Sequence, residues 1–240
     1  MKLHFHGTRG YIEAQSRRHR RHSVCTVSYR RSRVTIDCGE DWLDRLEELK
    51  ARTFLITHAH PDHAGGLARG ARCPVYATGE AWQLMEKYPF ERRKTVHLRK
   101  HFHIGELRIE AFPVAHSTRA PAVGYRISGG QVTVFYVPDL VFIEDREEAL
   151  QGVKVYIGDG AAITRSLVRK PGEELIGHTP VRTQLTWCQK FGVPRMIVTH
   201  CGTRIVENDP GAAEQKIEEL ARERGVEAKI AWDGMEVVLR

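Results

Sequence analysis

Residues 58–63 read His58-Ala59-His60-Pro61-Asp62-His63, which places three imidazoles and one carboxylate within six positions. The apolar run 54–57 precedes this stretch and the glycine-containing run 64–67 follows it, a pattern typical of a strand-to-helix corner. Imidazole nitrogens and carboxylate oxygens suit zinc and similar divalent ions. A solvated polar turn is the alternative, but it would need histidine to recur by coincidence. The motif predicts that His58 and His60 converge on one ion while Asp62 and His63 face a second.

Three more residues of these ligand types each lie where a β-rich run of sequence ends. They are His116 after the run 112–115, Asp139 after 134–138 and His200 after 196–199. A ligand at a strand end is held by a rigid element while its side chain faces an open cleft, as a preorganised metal site requires. Together with the first motif, these residues predict a metal site assembled from several strand ends.

The HxHxDH motif, followed by single His, Asp and His residues at strand ends, resembles the metallo-β-lactamase superfamily of hydrolases over nearly the whole chain. Shorter matches resemble the branch that holds ribonuclease Z type tRNA endonucleases and cyclic-nucleotide or phosphonate-pathway phosphodiesterases. They are Gly7-Thr8-Arg9-Gly10, His22-Ser23, Ile36-Asp37-Cys38-Gly39-Glu40, the run 120–127, Gly177-His178-Thr179-Pro180 and Asp233-Gly234-Met235. The resemblance implies an α+β, four-layer αββα sandwich with its site at one edge.

The resemblance also implies a role for each candidate ligand. The first ion is expected on His58, His60 and His116, the second on Asp62, His63 and His200, and Asp139 is expected to bridge them. Zinc is the expected metal, with manganese or iron as alternatives. Two ions roughly 3.5–4 Å apart lower the pKa of a bridging water towards 7 and neutralise charge on the attacked group. The implied reaction is hydrolysis by a metal-bridging hydroxide that Asp62 orients.

His178 resembles the additional histidine of the ribonuclease Z branch, which meets the scissile phosphate and can protonate the leaving oxygen. Imidazole suits that role because its pKa lies near neutrality. An ordinary surface histidine beside a helix is the alternative. The expected catalytic residues are therefore Asp62 and His178.

The segment between Asp159 and His178 carries three basic residues: Arg165, Arg169 and Lys170. We expect them to lie on the rim of the cleft and to contact phosphate, with a solvated loop as the alternative.

Length, composition and charge bear on the number of domains and on the kind of substrate. The chain has 240 residues and 41% hydrophobic content, so we expect residues 1–240 to form a single hydrolase domain. The chain carries 37 Lys and Arg against 30 Asp and Glu, a formal charge of +7. That excess favours a phosphodiester or nucleotide substrate, or nucleic acid itself, although solubility alone also explains it.

Five cysteines without a CxxC pair indicate neither a disulfide framework nor a zinc finger, and a reducing cytoplasm is the expected location. The N-terminus lacks an apolar signal core, and no run approaches the roughly 18 apolar residues of a membrane helix, so secretion and membrane insertion are not expected. A homodimer is an expectation of the family only.

Periodicity and turn residues predict the order of secondary structure. Strands are expected at 2–6, 24–29, 33–37, 53–57, 75–77, 94–98, 102–104, 107–112, 123–128, 131–137, 153–157, 195–199, 227–231 and 236–239. Helices are expected at 41–50 with Asp41 as the cap, 80–88, 145–150 with Asp145 and Glu148 as a capping box, from Thr179 to about 191, and from Asp209 to 225.

One departure from the ribonuclease Z pattern bears on the substrate. Those enzymes carry a tRNA-binding arm between the positions of His116 and Asp139, but here 22 residues intervene and the predicted hairpin takes them up. The favoured function is therefore a binuclear phosphodiesterase or nuclease-type enzyme acting on a small or unstructured substrate, such as a cyclic or short-chain nucleotide. A lactone, ester or thioester hydrolase using the same metals is the first alternative, and a non-enzymatic, metal-stabilised binding protein is the second.

Overall fold

The computed structural model describes the backbone of residues 1–240 and every side chain except that of Pro210. The strands are β1 (Lys2–Gly7), β2 (Val24–Tyr29), β3 (Ser32–Ile36), β4 (Phe54–Leu55), β5 (Val75–Thr78), β6 (Arg93–Val96), β7 (Phe102–Ile104), β8 (Leu107–Ala115), β9 (Ala122–Gly129), β10 (Val132–Val137), β11 (Phe142–Ile143), β12 (Val155–Asp159), β13 (Arg195–Thr199), β14 (Glu227–Ile230) and β15 (Glu236–Val238). The helices are α1 (Pro61–Ala64), α2 (Gly79–Leu84), α3 (Arg146–Leu150), α4 (Val181–Lys190), α5 (Thr203–Val206) and α6 (Pro210–Arg222), with 3₁₀ turns at Glu40–Trp42, Leu46–Leu49 and Gly65–Leu67.

These strands form two mixed sheets. The first has the order β15-β1-β2-β3-β4-β5-β6, and the second has the order β11-β8-β9-β10-β12-β13-β14, with β7 paired to β8. Strands β3, β4 and β5 are parallel, as are β10, β12 and β13. The carboxyl ends of parallel strands meet at the same edge of a sheet, so the residues after β3, β4, β10 and β13 are brought to two facing edges.

Side-chain alternation along the central strands builds the layers. On β10, Val134 and Tyr136 face a buried cluster between the two sheets, while Phe135 and Val137 face a second cluster shared with α3, α4, α5 and α6. A third cluster packs the 3₁₀ turns, α1 and α2 against the outer face of the first sheet. Helices therefore cover both outer faces, which confirms the predicted αββα sandwich.

The predicted hairpin at 123–137 is present, although its turn is shifted by one residue. Gly129 pairs with Val132, so the two turn residues are Gly130 and Gln131 rather than Gly129 and Gly130. Gly130 has φ +62°, the left-handed conformation that a primed hairpin turn requires.

Two predicted helix caps are wrong because their carboxylates have tertiary partners. The segment 41–50 forms two short 3₁₀ turns, and the Asp41 carboxylate pairs with Arg9 and the backbone of His22. Asp145 precedes α3 in a left-handed conformation with no side-chain cap bond, and its carboxylate pairs with Arg99.

Other helix boundaries move by a few residues. Helix α4 begins after Pro180 rather than Thr179, α2 ends at Leu84, and α6 ends at Arg222. The predicted cap of α6 is present, since the Asp209 carboxylate accepts a hydrogen bond from Gly211 N at 3.0 Å. Within the described residues, no helix has the length and apolar character needed to cross a membrane.

A buried tyrosine joins the second sheet to the strand that leads to the first motif. The hydroxyl of Tyr125 on β9 donates to the carbonyl of Ile56, just after β4, at 2.7 Å. Tyr125→Phe would leave that carbonyl without a hydrogen bond from the described residues, and we expect the free energy of unfolding to fall by about 1–3 kcal/mol in urea titrations.

Tyr136→Phe is the matched control for this substitution. The Tyr136 hydroxyl is also fully buried but makes no hydrogen bond among the described residues, so its removal should leave the free energy of unfolding unchanged or raise it. Equal losses in the two variants would contradict the assigned role of Tyr125.

His6 provides a prediction about pH. Burial, followed by the neighbouring His4, lowers the pKa of His6 from 6.5 to about 3. The unfolded chain therefore binds more protons than the folded chain between these two values, so stability is lost as the pH falls through this window. Between about pH 7 and about pH 5, we expect the free energy of unfolding to fall more in the wild type than in His6→Gln. Equal falls would show that His6 titrates normally.

Candidate metal centre

The structure brings all seven predicted ligands together at one edge of the sandwich. His58 and His60 follow β4, Asp62 and His63 lie in α1, and His116, Asp139 and His200 follow β8, β10 and β13. All are buried except His60, which is partly exposed. Each ligand therefore follows a strand or lies in the short helix α1, which agrees with the strand-to-helix corner and the strand ends that the sequence predicts.

The predicted ligand atoms form two groups that share Asp139, and a third candidate group, made of Asp139, Asp159, His178 and His200, overlaps the second. One group comprises His58, His60, His116 and Asp139, and the other comprises Asp62, His63, Asp139 and His200; within each group the ligand atoms lie within 4.8 Å of one another. In the first group, His60 Nδ1 lies 3.0 Å from His58 Nε2 and 3.3 Å from His116 Nε2. In the second, Asp62 Oδ2 lies 3.0 Å from His200 Nε2 and 3.1 Å from His63 Nε2.

Several of these buried atoms lie close to other ligand atoms and yet have no hydrogen-bond partner. His63 Nε2, Asp139 Oδ1 and His200 Nδ1 make no hydrogen bond within the described part of the chain. Yet His200 Nδ1 lies only 2.9 Å from Asp139 Oδ1, so poor alignment rather than distance prevents the bond. Convergent nitrogen and oxygen lone pairs of this kind fit the divalent ions that the sequence predicts.

The electrostatics of the centre favour positive charge. Burial alone would lower the pKa of His63, but Asp62 and Asp37 outweigh it and raise the pKa well above the usual value. Burial likewise opposes a raised pKa at His200, where Asp139 prevails. The carboxyl pKa of Asp139 is held well below its usual range against burial, first by His200 and then by His116. A divalent cation would satisfy the same carboxylates.

Asp37 and Thr57 hold the rings of the first motif from behind. The Asp37 carboxylate lies 2.9 Å from His63 Nδ1 and accepts hydrogen bonds from the Thr57 backbone and hydroxyl. The Thr57 hydroxyl also lies 3.1 Å from His58 Nδ1. Contacts of this type fix which ring nitrogen is free to bind a metal. The sequence places Asp37 at the end of a strand beside the cleft and within a family match, but it does not indicate that Asp37 contacts His63.

His178 lies beside the shared carboxylate. Its Nδ1 is 2.8 Å from Asp159 Oδ2 and 3.2 Å from Asp139 Oδ1. Burial lowers the pKa of His178, but Asp159 and Asp139 prevail and raise it to about 10. Asp159 is itself fixed by hydrogen bonds to the backbone of Ala161 and Leu140. The sequence analysis assigns no role to Asp159. A signal was available, because Asp159 is the last residue of the buried strand β12, just as Asp139 comes soon after the end of β10.

Unusual backbone conformations and close glycine contacts surround the candidate metal centre. Asp37 and His200 both adopt the left-handed conformation, with φ +62° and +51°, which costs about 1–3 kcal/mol for a residue other than glycine. Gly10 runs against the His200 ring, and a Cβ there would lie 3.1 Å from a ring carbon. A Cβ on Gly39 would lie 2.3 Å from the Asp62 carbonyl oxygen, so only glycine fits without displacement.

The ligand groups open into a pocket of about 630 Å³. Its lining includes His60, Asp62, His116, Asp139, His178 and His200, and it also includes Arg165 and Arg204. Of the three basic residues predicted at the rim, only Arg165 lines this pocket. Arg169 forms a backbone bridge with Ile176, and the Lys170 ammonium lies 3.5 Å from Glu173. Arg204 lies outside the segment that suggested the others.

A buried ion pair supports the loop beside this pocket. Arg9 is only 4% exposed, and its Nη2 lies 2.7 Å from Asp41 Oδ2. Arg9 also donates to the carbonyls of Ile12 and Arg20, and Asp41 accepts from the backbone of His22 at 2.9 Å. These contacts span 9–22, a segment without long secondary structure, and hold it against the centre.

Comparison with solved structures places this fold among known ones. The metallo-beta-lactamase fold protein YhfI from Bacillus subtilis is 15% identical over 98% of both chains, with a TM-score of 0.77. A diphosphatase from the PhnP family is 18% identical over 98% of this chain and 96% of its own, with a TM-score of 0.69. The short form of human tRNase Z, ELAC1, is 17% identical over 100% of both chains, with a TM-score of 0.68.

At these identities the likeness shows a shared fold. None of the curated proteins compared matches the chain. The family model described as the beta-lactamase superfamily domain matches residues 32–201, a segment that contains every predicted metal ligand. The chain therefore belongs to the beta-lactamase superfamily, whose members are metal-dependent hydrolases.

Proposed function

We propose that the protein is a binuclear metal-dependent phosphodiesterase, with zinc as the metal and a cyclic or short-chain nucleotide as the substrate class. The observation that carries the proposal is the pair of ligand groups that share Asp139, with His178 beside them, at a pocket that five of the seven ligands and His178 line. Two ions bound there would supply an activated water and neutralise charge on the phosphate.

The two ligand groups define what the chain itself contributes. One group, on one side of Asp139, presents the ring nitrogens of His58, His60 and His116. The other group presents a carboxylate oxygen of Asp62 and the ring nitrogens of His63 and His200. Because Asp37 and Thr57 hold two of these rings, little reorganisation is needed when substrate arrives. Asp62 lines the pocket, where its carboxylate can accept a hydrogen bond from the attacking water and so orient it.

His178 is positioned to donate a proton to the leaving oxygen. Its Nδ1 is engaged by Asp159, so Nε2 is the nitrogen left for a substrate, and the side chain is 24% exposed towards the pocket. Asp159 orients the ring and stabilises the imidazolium, as a carboxylate does in acid–base pairs. An alkoxide leaving group needs such a donor, which favours ester cleavage with general acid assistance.

Charge and the related structures support a phosphate substrate. Arg165 and Arg204 line the pocket, and guanidinium groups match phosphate oxygens in geometry and charge. A PhnP-family diphosphatase and a tRNase Z share the fold. A lactone or thioester carries no comparable negative charge for these side chains to bind.

The first test is hydrolysis of bis(p-nitrophenyl) phosphate by protein of measured metal content, with zinc and manganese supplied separately. We expect metal-dependent turnover that Asp62→Asn reduces by at least about 100-fold, because the substitution removes a charged ligand and the water-orienting group. Asp44→Asn is the matched control, since Asp44 is exposed and pairs only with Arg69 among the described residues. No turnover by wild type with metals bound would overturn the proposal and favour the lactone or thioester class.

His178→Ala separates proton donation from metal binding. We expect turnover to fall by about 100- to 10,000-fold while the number of bound metal ions stays the same, because the two proposed ions lie in the other two groups and His178 belongs only to the third, with Asp159. His103→Ala, an exposed histidine on β7, should leave both quantities unchanged. Loss of metal from His178→Ala would mean that His178 acts as a ligand and not as the proton donor.

A further inference from the structure

The pocket has two chemically different walls. One carries the ligand groups, and the other carries apolar side chains from two segments, namely Tyr11 and Ile12 from one and Ala162, Ile163 and Leu167 from the other. The apolar side chains of this second wall have no part in metal coordination or proton transfer. The proposed reaction therefore assigns them no role.

Tyr11 is the most exposed large aromatic side chain on this wall, at 63%. It lines the main pocket and also a neighbouring one of about 540 Å³, which includes Arg9, Glu13 and His22. The ring therefore lies between two cavities instead of packing into the core. An aromatic ring left open to solvent at a pocket wall offers a π-face for stacking.

The position of Tyr11 is fixed by its neighbours in the chain. Gly10 packs against the His200 ring and donates its N–H to the Cys201 carbonyl at 3.0 Å, so Tyr11 follows directly after a contact with the metal centre. On the other side, buried Arg9 donates to the Ile12 carbonyl. These contacts hold the backbone on both sides of Tyr11, so only the side chain has to be ordered when a ligand stacks on the ring.

The charged side chains of the pocket indicate which other chemical group a stacked ligand would carry. No carboxylate of the described residues lies within 4.0 Å of the guanidinium of Arg165 or Arg204, and both side chains are exposed. Together with the metal centre, two cations free of ion pairs favour an anionic ligand. A ligand that uses both walls is therefore a phosphate ester with a planar aromatic substituent.

We propose that Tyr11 is the stacking platform for the nucleobase of the substrate, with the apolar side chains of Ile163 and Leu167 lining the same subsite. This inference rests on the proposed function and names its specificity-determining residue. Stacking on an aromatic ring depends little on base identity, so the subsite would accept nucleotides of different bases and discriminate against phosphate esters that lack one.

The test compares two probes that differ only in the base: adenosine 5′-monophosphate and ribose 5-phosphate. Binding of each to the metal-loaded protein is measured by calorimetry, which does not require turnover. We expect the wild type to bind the nucleotide at least about tenfold more tightly, and Tyr11→Ala to lose that preference while its affinity for ribose 5-phosphate is unchanged. Tyr11→Phe should keep the preference, because it retains the ring.

Leu84→Ala is the control, since Leu84 is an exposed apolar side chain that does not line this pocket, and it should bind both probes as the wild type does. Equal affinity of the wild type for the two probes, or a preference that survives in Tyr11→Ala, would overturn the inference. Failure of the proposed function would be seen in a different experiment, as the absence of diester hydrolysis by the wild type. That result does not depend on the affinities for the two probes.

Discussion

The carboxylate of Asp139 lies at the point where both halves of the sandwich meet. It is almost fully buried, and its oxygens lie within 3.4 Å of ring nitrogens from five histidines. These are His58 at 3.4 Å, His63 at 3.1 Å, His116 at 3.4 Å, His178 at 3.2 Å and His200 at 2.9 Å. Burying this carboxylate without partners would lower the stability of the folded protein by several kcal/mol. This edge of the sandwich therefore requires the positive or hydrogen-bonding groups that surround Asp139.

The sheet topology explains how residues so far apart in sequence reach this one carboxylate. His58 and His63 come from the first sheet, whereas His116, Asp139 and His200 come from the second. Parallel strands deliver their carboxyl ends to one edge of each sheet, and the packed cluster between the sheets sets the distance across which the ligands face each other. Asp159 and Asp37 then orient the rings from behind. Geometry suited to two ions is thus a consequence of strand direction, core packing and buried carboxylates together.

The residues proposed as metal ligands could be singled out from the sequence because they lie at or just after strand ends, and strand ends are marked by apolar runs followed by polar residues. The four-layer fold was equally accessible through the family resemblance. What the sequence did not show depends on tertiary partners. Asp41 and Asp145 resemble helix caps locally, yet each pairs with an arginine distant in sequence, and no helix-capping rule anticipates that. Asp159 also ends an apolar run, but its role comes from a contact with His178, which lies 19 residues later in the chain and is brought to it by the tertiary structure.

We propose that Asp139 would lie between two bound metal ions, and anomalous diffraction from crystals of the zinc-loaded protein tests this proposal directly. Two anomalous peaks roughly 3.5–4 Å apart are expected, one beside His58, His60 and His116 and the other beside Asp62, His63 and His200, with Asp139 between them. A single peak, or a peak on the His178 and Asp159 side in place of either, would contradict it.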